Sequence, residues 1–328
     1  MNKKEINWAV IGCGVIANEM AHALDKIGRK IFSVANRTYD KAVEFAKKYA
    51  ISKVYKSIDE VFLDSDVDII YITTPHNTHY QYMKKALENG KHILVEKSIT
   101  LNSAELEEMV ELAGKNNLMI GEAMTIWHMP LYHKLHDIIS NGELGKVQLI
   151  TMNFGSFKEY DMNNRFFNMN LAGGAMLDIG VYALSIVISF MKEKPNEIFS
   201  FWKKSPAGSD EMSTIILKNK SEQMATVALS LHSKQPKRAV ISCENGYIEI
   251  MEYPRADRAM IVDAVTGNAK EVIEGNREDA LLYEIQDMEE AVKSGNSSIL
   301  HLQETLDVME IMTKLRKEWN LQYPEEIV

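Results

Sequence analysis

Cysteine is almost missing from this chain: Cys13 and Cys243 are the only two in 328 residues. Two thiols cannot build a disulfide framework or a thiolate zinc centre, and they suit a reducing compartment. Basic residues are also in deficit, 37 lysines and arginines against 46 acids, for a net charge of −9. With no cationic excess to displace counterions from a phosphate backbone, the balance argues against general nucleic-acid binding. No unbroken run of roughly 18 apolar residues occurs, so no transmembrane helix is expected. Lys3 and Lys4 ahead of the stretch Trp8–Ala17 imitate the start of a signal peptide. Glu5 interrupts that charge, Gly12 and Gly14 break the apolar stretch, and a helical pattern follows from Asn18 with no cleavage-site spacer. A soluble, cytoplasmic protein is expected.

What is present is ordinary globular composition, 46% hydrophobic and 25% charged. At roughly 150 residues per domain, the length predicts about two domains. Up to about residue 122, short apolar runs alternate with longer helical periods. Ile6–Ile11, Ile31–Ala35, Ile69–Thr73, His92–Val95 and Leu118–Gly121 read as strands. Lys41–Tyr49, Tyr80–Asn89 and Ser103–Asn116 read as helices, with Asn102 and Glu105 spaced as a capping box. This alternation predicts a doubly wound parallel sheet.

After a helix ending near Gly142 the rhythm changes. Val147–Phe154, Glu197–Trp202, Met212–Leu217, Ala225–His232, Arg238–Cys243 and Tyr247–Met251 read as strands of a largely antiparallel sheet. Helices are expected at about Gly174–Met191, Ala280–Lys293 and Leu302–Trp319. The division is therefore 1–122 and 123–328.

Chemistry concentrates at the ends of the N-terminal strands. Gly12-Cys13-Gly14-Val15-Ile16-Ala17 is G-x-G-x-x-A between a strand and a helix. There the first glycine makes the turn, the second admits a pyrophosphate to the backbone, and the small Ala17 lets the helix pack closely. A bare tight turn is the alternative, but the strand-turn-helix context favours a dinucleotide. The second strand ends in Asn36-Arg37-Thr38, with no acid to bind a ribose 2′-hydroxyl. Arg37 suits a 2′-phosphate, so NADP is favoured, with NAD the alternative.

Thr73, Thr74, Pro75, Asn77 and His79 follow the next strand and are expected along the cofactor crevice. His76 and His79 lack a carboxylate or thiolate to complete a metal site. His133 and His136 read as parts of an amphipathic helix. Glu96-Lys97 leaves the following strand, either as a self-neutralising pair or with Lys97 supporting proton transfer. Gly173-Gly174 precedes Asp178 and Tyr182, spaced i, i+4 on one helix face. A carboxylate and a phenol there could hold a hydroxylated substrate and exchange its proton.

Together these segments resemble the glucose–fructose oxidoreductase/inositol dehydrogenase family, Gfo/Idh/MocA. The likeness runs through Gly12–Ala17, Thr74–His79, Ala86–His92, Glu96-Lys97, Gly121–Met124, Gly142–Val147 and Gly173–Tyr182. It implies an α/β chain: an N-terminal Rossmann domain plus a C-terminal α+β domain with a large open sheet. It also implies that Lys97 is the catalytic lysine and Asp178 a substrate-positioning aspartate. Tyr182 stands where many members have histidine, and is typical of the subgroup with dimeric dihydrodiol dehydrogenase and NADP-dependent xylose dehydrogenase. The family's Glu-Lys-Pro reads Glu96-Lys97-Ser98 here, so the proline of an often cis turn is absent. Trp127 stands where relatives commonly have arginine. The expected function is hydride transfer between nicotinamide and a secondary alcohol or hemiacetal of a sugar, polyol or related diol. A dinucleotide-binding sensor without turnover is the alternative. Apolar residues in Met212–Leu217 and Ala225–Leu231 are denser than a sheet with one wet face needs, so a homodimer or larger homo-oligomer is expected.

Overall fold

A computed structural model describes residues 5–326; Lys3 and Lys4 lie outside the described residues. The described chain divides into two units. The first holds the residues up to Ala123 together with Leu281–Leu302, and the second holds Met124–Ala280 and the residues from Gln303 onward.

In the first unit the order is β1 (Trp8–Ile11), α1 (Val15–Lys26), β2 (Ser33–Ala35), α2 (Tyr39–Tyr49), β3 (Lys53–Val54) and α3 (Asp59–Leu63). It continues with β4 (Ile69–Ile72), α4 (His79–Glu88), β5 (His92–Glu96), α5 (Ser103–Asn116) and β6 (Ile120–Ala123). The six strands lie in the order β3-β2-β1-β4-β5-β6, all parallel. Strands β1 and β4 are buried throughout, which is why they read as continuous apolar runs. At α5 the Asn102 side chain accepts from Glu105 N at 3.0 Å, and Glu105 Oε2 accepts from Leu101 N at 3.0 Å. The capping box thus forms, with its return bond one residue before the cap.

The division is not the linear one at 122/123 read from the sequence. Helix α9 (Ala280–Ser294) carries Leu281, Ile285, Met288 and Ala291 on one stripe, and these pack with Trp8, Leu24, Tyr71 and Leu94. Trp8 Nε1 donates to Glu289 Oε1 at 2.8 Å, tying α9 to β1. The stripe has ordinary helical spacing, and nothing in that spacing says which sheet it will cover.

The second unit begins with α6 (Thr125–His128), which buries Trp127, and α7 (Pro130–Ser140). Its strands are β7 (Val147–Gly155), β8 (Glu197–Lys204), β9 (Asp210–Lys218), β10 (Met224–Ser230), β11 (Gln235–Cys243), β12 (Gly246–Met251), β13 (Arg258–Asp263) and β14 (Ala269–Ile273). They form one sheet in the order β14-β13-β12-β11-β7-β10-β9-β8. Neighbours are antiparallel except β7 and β10, which run parallel.

The helix expected at Gly174–Met191 is two pieces: a π turn at Met176–Gly180 and α8 (Val181–Phe190). The 22-residue segment Met169–Phe190, which contains both pieces, is apolar and long enough to cross a membrane by composition, but 83% of its most apolar window is buried inside the protein. It is the core helix of this unit: Val181, Leu184, Ile186 and Val187 are fully buried. A Cβ at Gly180 would come within 2.9 Å of Leu229 on β10, so glycine sets how closely the π turn approaches the sheet. Helix α10 (Leu302–Glu318) closes the ordered elements.

Candidate active site

In the first unit, β1 ends at a backbone that only glycine fits. Gly12 has φ +110°, its N–H donates to Ala35 O at 2.9 Å, and a Cβ there would meet Thr73 Oγ1 at 2.5 Å. Gly14 differs: a Cβ would meet nothing within 4 Å, so its lack of a side chain leaves open space. That space lies over the N-terminus of α1, where no side chain caps the free amides. Val15, the first residue of α1, is 75% exposed, an apolar side chain left to cover something other than the core. Ile16 and Cys13 are partly buried, and burial pushes the Cys13 thiol up to about 11, so it stays protonated. An uncapped helix N-terminus, a cradle without a Cβ and an exposed apolar rim fit a dinucleotide pyrophosphate.

At the end of β2, Asn36 Nδ2 donates to Thr38 O at 3.0 Å, a local turn bond that leaves Arg37 pointing outward. Arg37 and Thr38 are exposed, and Arg37 makes no ion pair among the described residues. Its fork of donors stands uncommitted. After β4, Thr73 Oγ1 donates to Ile11 O at 3.1 Å, and Thr78 Oγ1 donates to Thr74 Oγ1 at 2.7 Å. Pro75 is exposed, and Asn77 is partly buried.

His79 requires a correction. It was expected beside the cofactor, but it is fully buried, with Nε2 2.8 Å from Thr74 O and Nδ1 3.1 and 3.2 Å from Ser98 O and Ile99 O. Burial pushes its pKa down. His76 Nε2 lies 3.0 Å from Lys97 O, and buried Glu122 accepts from Ile99 N at 3.0 Å. These three side chains hold the backbone that carries Lys97, and the Lys97–Ser98 peptide is cis although no proline is present. Glu96 accepts a hydrogen bond from Tyr71 Oη. The histidines therefore build the lysine loop rather than line the crevice.

In the second unit, Asp178 lies within the π turn and Tyr182 in the first turn of α8. Single π turns recur at functional sites, and here one carries the carboxylate just ahead of the phenol. Asp178 is buried, and Arg165 Nη1 approaches its Oδ1 at 3.6 Å. The Arg165 guanidinium also lies 4.6 Å from the Phe166 ring centre. Tyr182 is partly exposed beside Phe154, with ring centres 6.2 Å apart. The preceding glycines are both sterically required. A Cβ at Gly173 would come within 2.7 Å of Arg165 O, and one at Gly174, φ +144°, would run into Asp210 Oδ1.

Sequence reasoning missed Arg165 and Asp210. Arg165 sits in a loop with no periodic pattern. An acid at the start of an apolar strand, as in Asp210-Glu211-Met212, was the available signal for the second.

A family model described as an oxidoreductase family with an NAD-binding Rossmann fold matches residues 6–124. A second, the GFO/IDH/MocA C-terminal domain, matches residues 132–249. Among curated proteins, the trans-1,2-dihydrobenzene-1,2-diol dehydrogenase of Xenopus laevis is 27% identical over 97% of this chain and 99% of its own length. The human enzyme of that name is 26% identical over 98% and 99%. Among solved structures, the 3-ketoreductase KijD10 of Actinomadura kijaniata, crystallised with NADP and TDP-benzene, superposes with TM-score 0.86 at 19% identity, covering 96% of this chain and 98% of that one. The aldose-aldose oxidoreductase of Caulobacter crescentus gives TM-score 0.85 at 20% identity, covering 96% and 97%. The fold, the nucleotide cradle and the two matching models agree: this chain belongs to the Gfo/Idh/MocA family of oxidoreductases, with an NAD-binding Rossmann fold.

Proposed function

We propose that this protein transfers hydride between NADP and a secondary alcohol or hemiacetal of a sugar, polyol or related diol. The observation that carries the reading is Asp178 and Tyr182 on one π-turned helix start, in a chain that also presents Lys97 on a loop built by His76, His79 and Glu122. The curated relatives' printed activity on a vicinal diol supports the substrate class.

The residues that would hold the dinucleotide are the Gly12–Ile16 turn, Arg37, Thr38 and the Thr73–Pro75 segment. When bound, its nicotinamide supplies the hydride acceptor or donor. Tyr182 Oη takes the substrate hydroxyl proton in the oxidative direction and returns it in the reductive one. A free tyrosine has a pKa of about 10, so proton exchange near neutral pH needs a cation to stabilise the phenolate; Lys97 is the lysine proposed to act in the same reaction. Asp178 accepts a hydrogen bond from a substrate hydroxyl and orients it. Arg165 Nη1 lies 3.6 Å from that carboxylate and is its cationic neighbour. A panel of aldoses, polyols and trans-diols, followed by nicotinamide absorbance with both cofactors, tests the substrate class. Turnover confined to non-hydroxylated carbonyl compounds would contradict it.

Cofactor preference rests on Arg37. With no carboxylate at Asn36 to repel a 2′-phosphate, NADPH is expected to bind more tightly than NADH. Arg37→Ala removes a charge-assisted contact of about 1.5–3 kcal/mol, so NADPH affinity should fall roughly tenfold to a hundredfold. NADH affinity should stay unchanged. Fluorescence titration checks both; equal affinities that ignore the substitution would make Arg37 a surface residue.

The working form is proposed to be a homodimer in the cytoplasm. On β8, β9 and β10 the outward face carries Phe199, Phe201, Met212, Ile216 and Met224, exposed by 42% to 71%. Phe199 sits opposite Ile216 and Phe201 opposite Thr214, so the side chains form one patch. A second copy of the same patch is its self-complementary cover. Light scattering should give twice the 37.3 kDa chain mass, and Phe201→Asp with Ile216→Asp should halve it. A wild-type monomer at micromolar concentration would contradict this.

A further inference from the structure

Asp210 is a fully buried carboxylate on the first residue of β9, distant in sequence from Asp178 and Tyr182. Its Oδ2 accepts from Met176 N at 2.6 Å, at the first residue of the π turn. Its Oδ1 faces the Cα of Gly174. Gly174 O in turn accepts from Asp178 N at 3.2 Å, so the turn that Asp210 grips is bonded directly to the Asp178 backbone.

A second buried group holds the same turn from the chain's C-terminal end. Tyr323 Oη donates to Gly173 O at 2.9 Å and sits 3.0 Å from where a Gly174 Cβ would be. Tyr323 is itself fixed. Its N–H donates to Glu326 Oε2 at 2.7 Å, and Glu326 takes Arg316 in a two-pronged pair of 3.0 and 2.7 Å. Arg316 is 2% exposed, and its guanidinium lies 4.9 Å from the Tyr323 ring centre.

We propose that Asp210 and Tyr323 are positioning residues for the hydride-transfer reaction: together they fix the Gly173–Met176 turn and so aim Asp178 and Tyr182. The inference rests on the reading of those two residues as the groups that meet substrate. Three features separate it from generic packing. The grip is on backbone N–H and C=O groups, which set the direction of the helix start rather than the fit of its side chains. The glycines leave no room for a looser turn. The acid is also kept where burial pushes its carboxyl up to about 7, against the opposing pull of the Met176 amide and the Arg316 charge. A well-packed apolar residue would avoid that cost, so the acid serves the turn rather than the core.

The test uses the full chain with Asp210→Ala, Asp210→Asn and Tyr323→Phe. Hydrogen exchange over residues 173–182 needs no substrate. It should accelerate at least tenfold in Asp210→Ala, less in Tyr323→Phe, and be largely restored in Asp210→Asn, which keeps an acceptor. With a substrate found in the sugar and diol panel, kcat should fall about a hundredfold in Asp210→Ala, because small misplacement of reacting groups costs that much. NADPH affinity should not change. Unaltered exchange in this segment overturns the proposal, as does faster exchange with unaltered kcat in the folded protein. If Asp210→Ala does not fold, the other two variants decide by the same criteria. If no compound in the panel turns over, the assignment of Asp178 and Tyr182 has failed, and exchange alone still decides whether Asp210 fixes the turn.

Discussion

Replacing Tyr182 by phenylalanine is expected to lower kcat by roughly 10²–10⁴-fold while leaving NADPH affinity unchanged. The substitution keeps the ring, its place in the first turn of α8 and its contact with Phe154, and removes only the oxygen proposed to exchange the proton. Because the residues proposed to hold the cofactor belong to the first unit, titration of NADPH into the variant separates lost chemistry from lost binding. Steady-state kinetics with a compound that the wild type turns over measures the first. A variant with wild-type kcat would remove Tyr182 from the reaction and leave Asp178 without its partner.

The second large effect is expected at Gly12→Ala. The backbone there has φ +110°, where residues with a Cβ are strained, and the added carbon would meet Thr73 Oγ1 at 2.5 Å and Thr73 O at 3.0 Å. Thr73 cannot withdraw easily, because its N–H donates to Ile11 O at 2.9 Å and its hydroxyl to the same oxygen at 3.1 Å. The turn between β1 and α1 must shift, taking with it the amides that would receive the pyrophosphate. Strain of a few kcal/mol corresponds to NADPH affinity lowered on the order of a hundredfold. Gly14→Ala offers a contrast: its Cβ meets no protein atom, so stability should be unchanged and only cofactor binding should weaken. Calorimetry and thermal melts on the two variants check the pair. Equal NADPH affinity in Gly12→Ala and wild type would deny the turn its role.

What could be read from the sequence was what short stretches decide. The Gly12–Ala17 turn, the Asn102–Glu105 cap and the buried strands β1 and β4 all follow from neighbours within a few residues. The edge strand β14 and its neighbour β13 escaped notice because their residues, Ala269–Ile273 and Arg258–Asp263, are mostly exposed or only half-buried and carry little apolar alternation. Helix α9 was legible as a helix but not as part of the first unit, since Leu281 and Ile285 find Trp8 across the whole length of the chain. The site divides the same way. Lys97, Asp178 and Tyr182 stood out by type and motif, whereas His79 was misjudged. Polar residues at a strand's carboxyl end suggest a crevice, yet its ring is spent on three backbone carbonyls. Asp210 reaches Met176 and Tyr323 reaches Gly173, both in the Gly173–Met176 turn, from 34 and 150 residues away, distances no local pattern encodes.

Hydride transfer by this protein is tested most directly by following the hydrogen itself. A sugar or diol that turns over in the panel is labelled with deuterium at its carbinol or anomeric carbon and incubated with NADP and the wild-type protein. One deuterium per turnover is expected at C4 of the reduced nicotinamide, and the Tyr182→Phe variant should bind NADP but transfer almost none. Tight NADP binding with no transfer from any polyhydroxylated compound in the panel would contradict it, and would make the chain a dinucleotide sensor on an oxidoreductase fold.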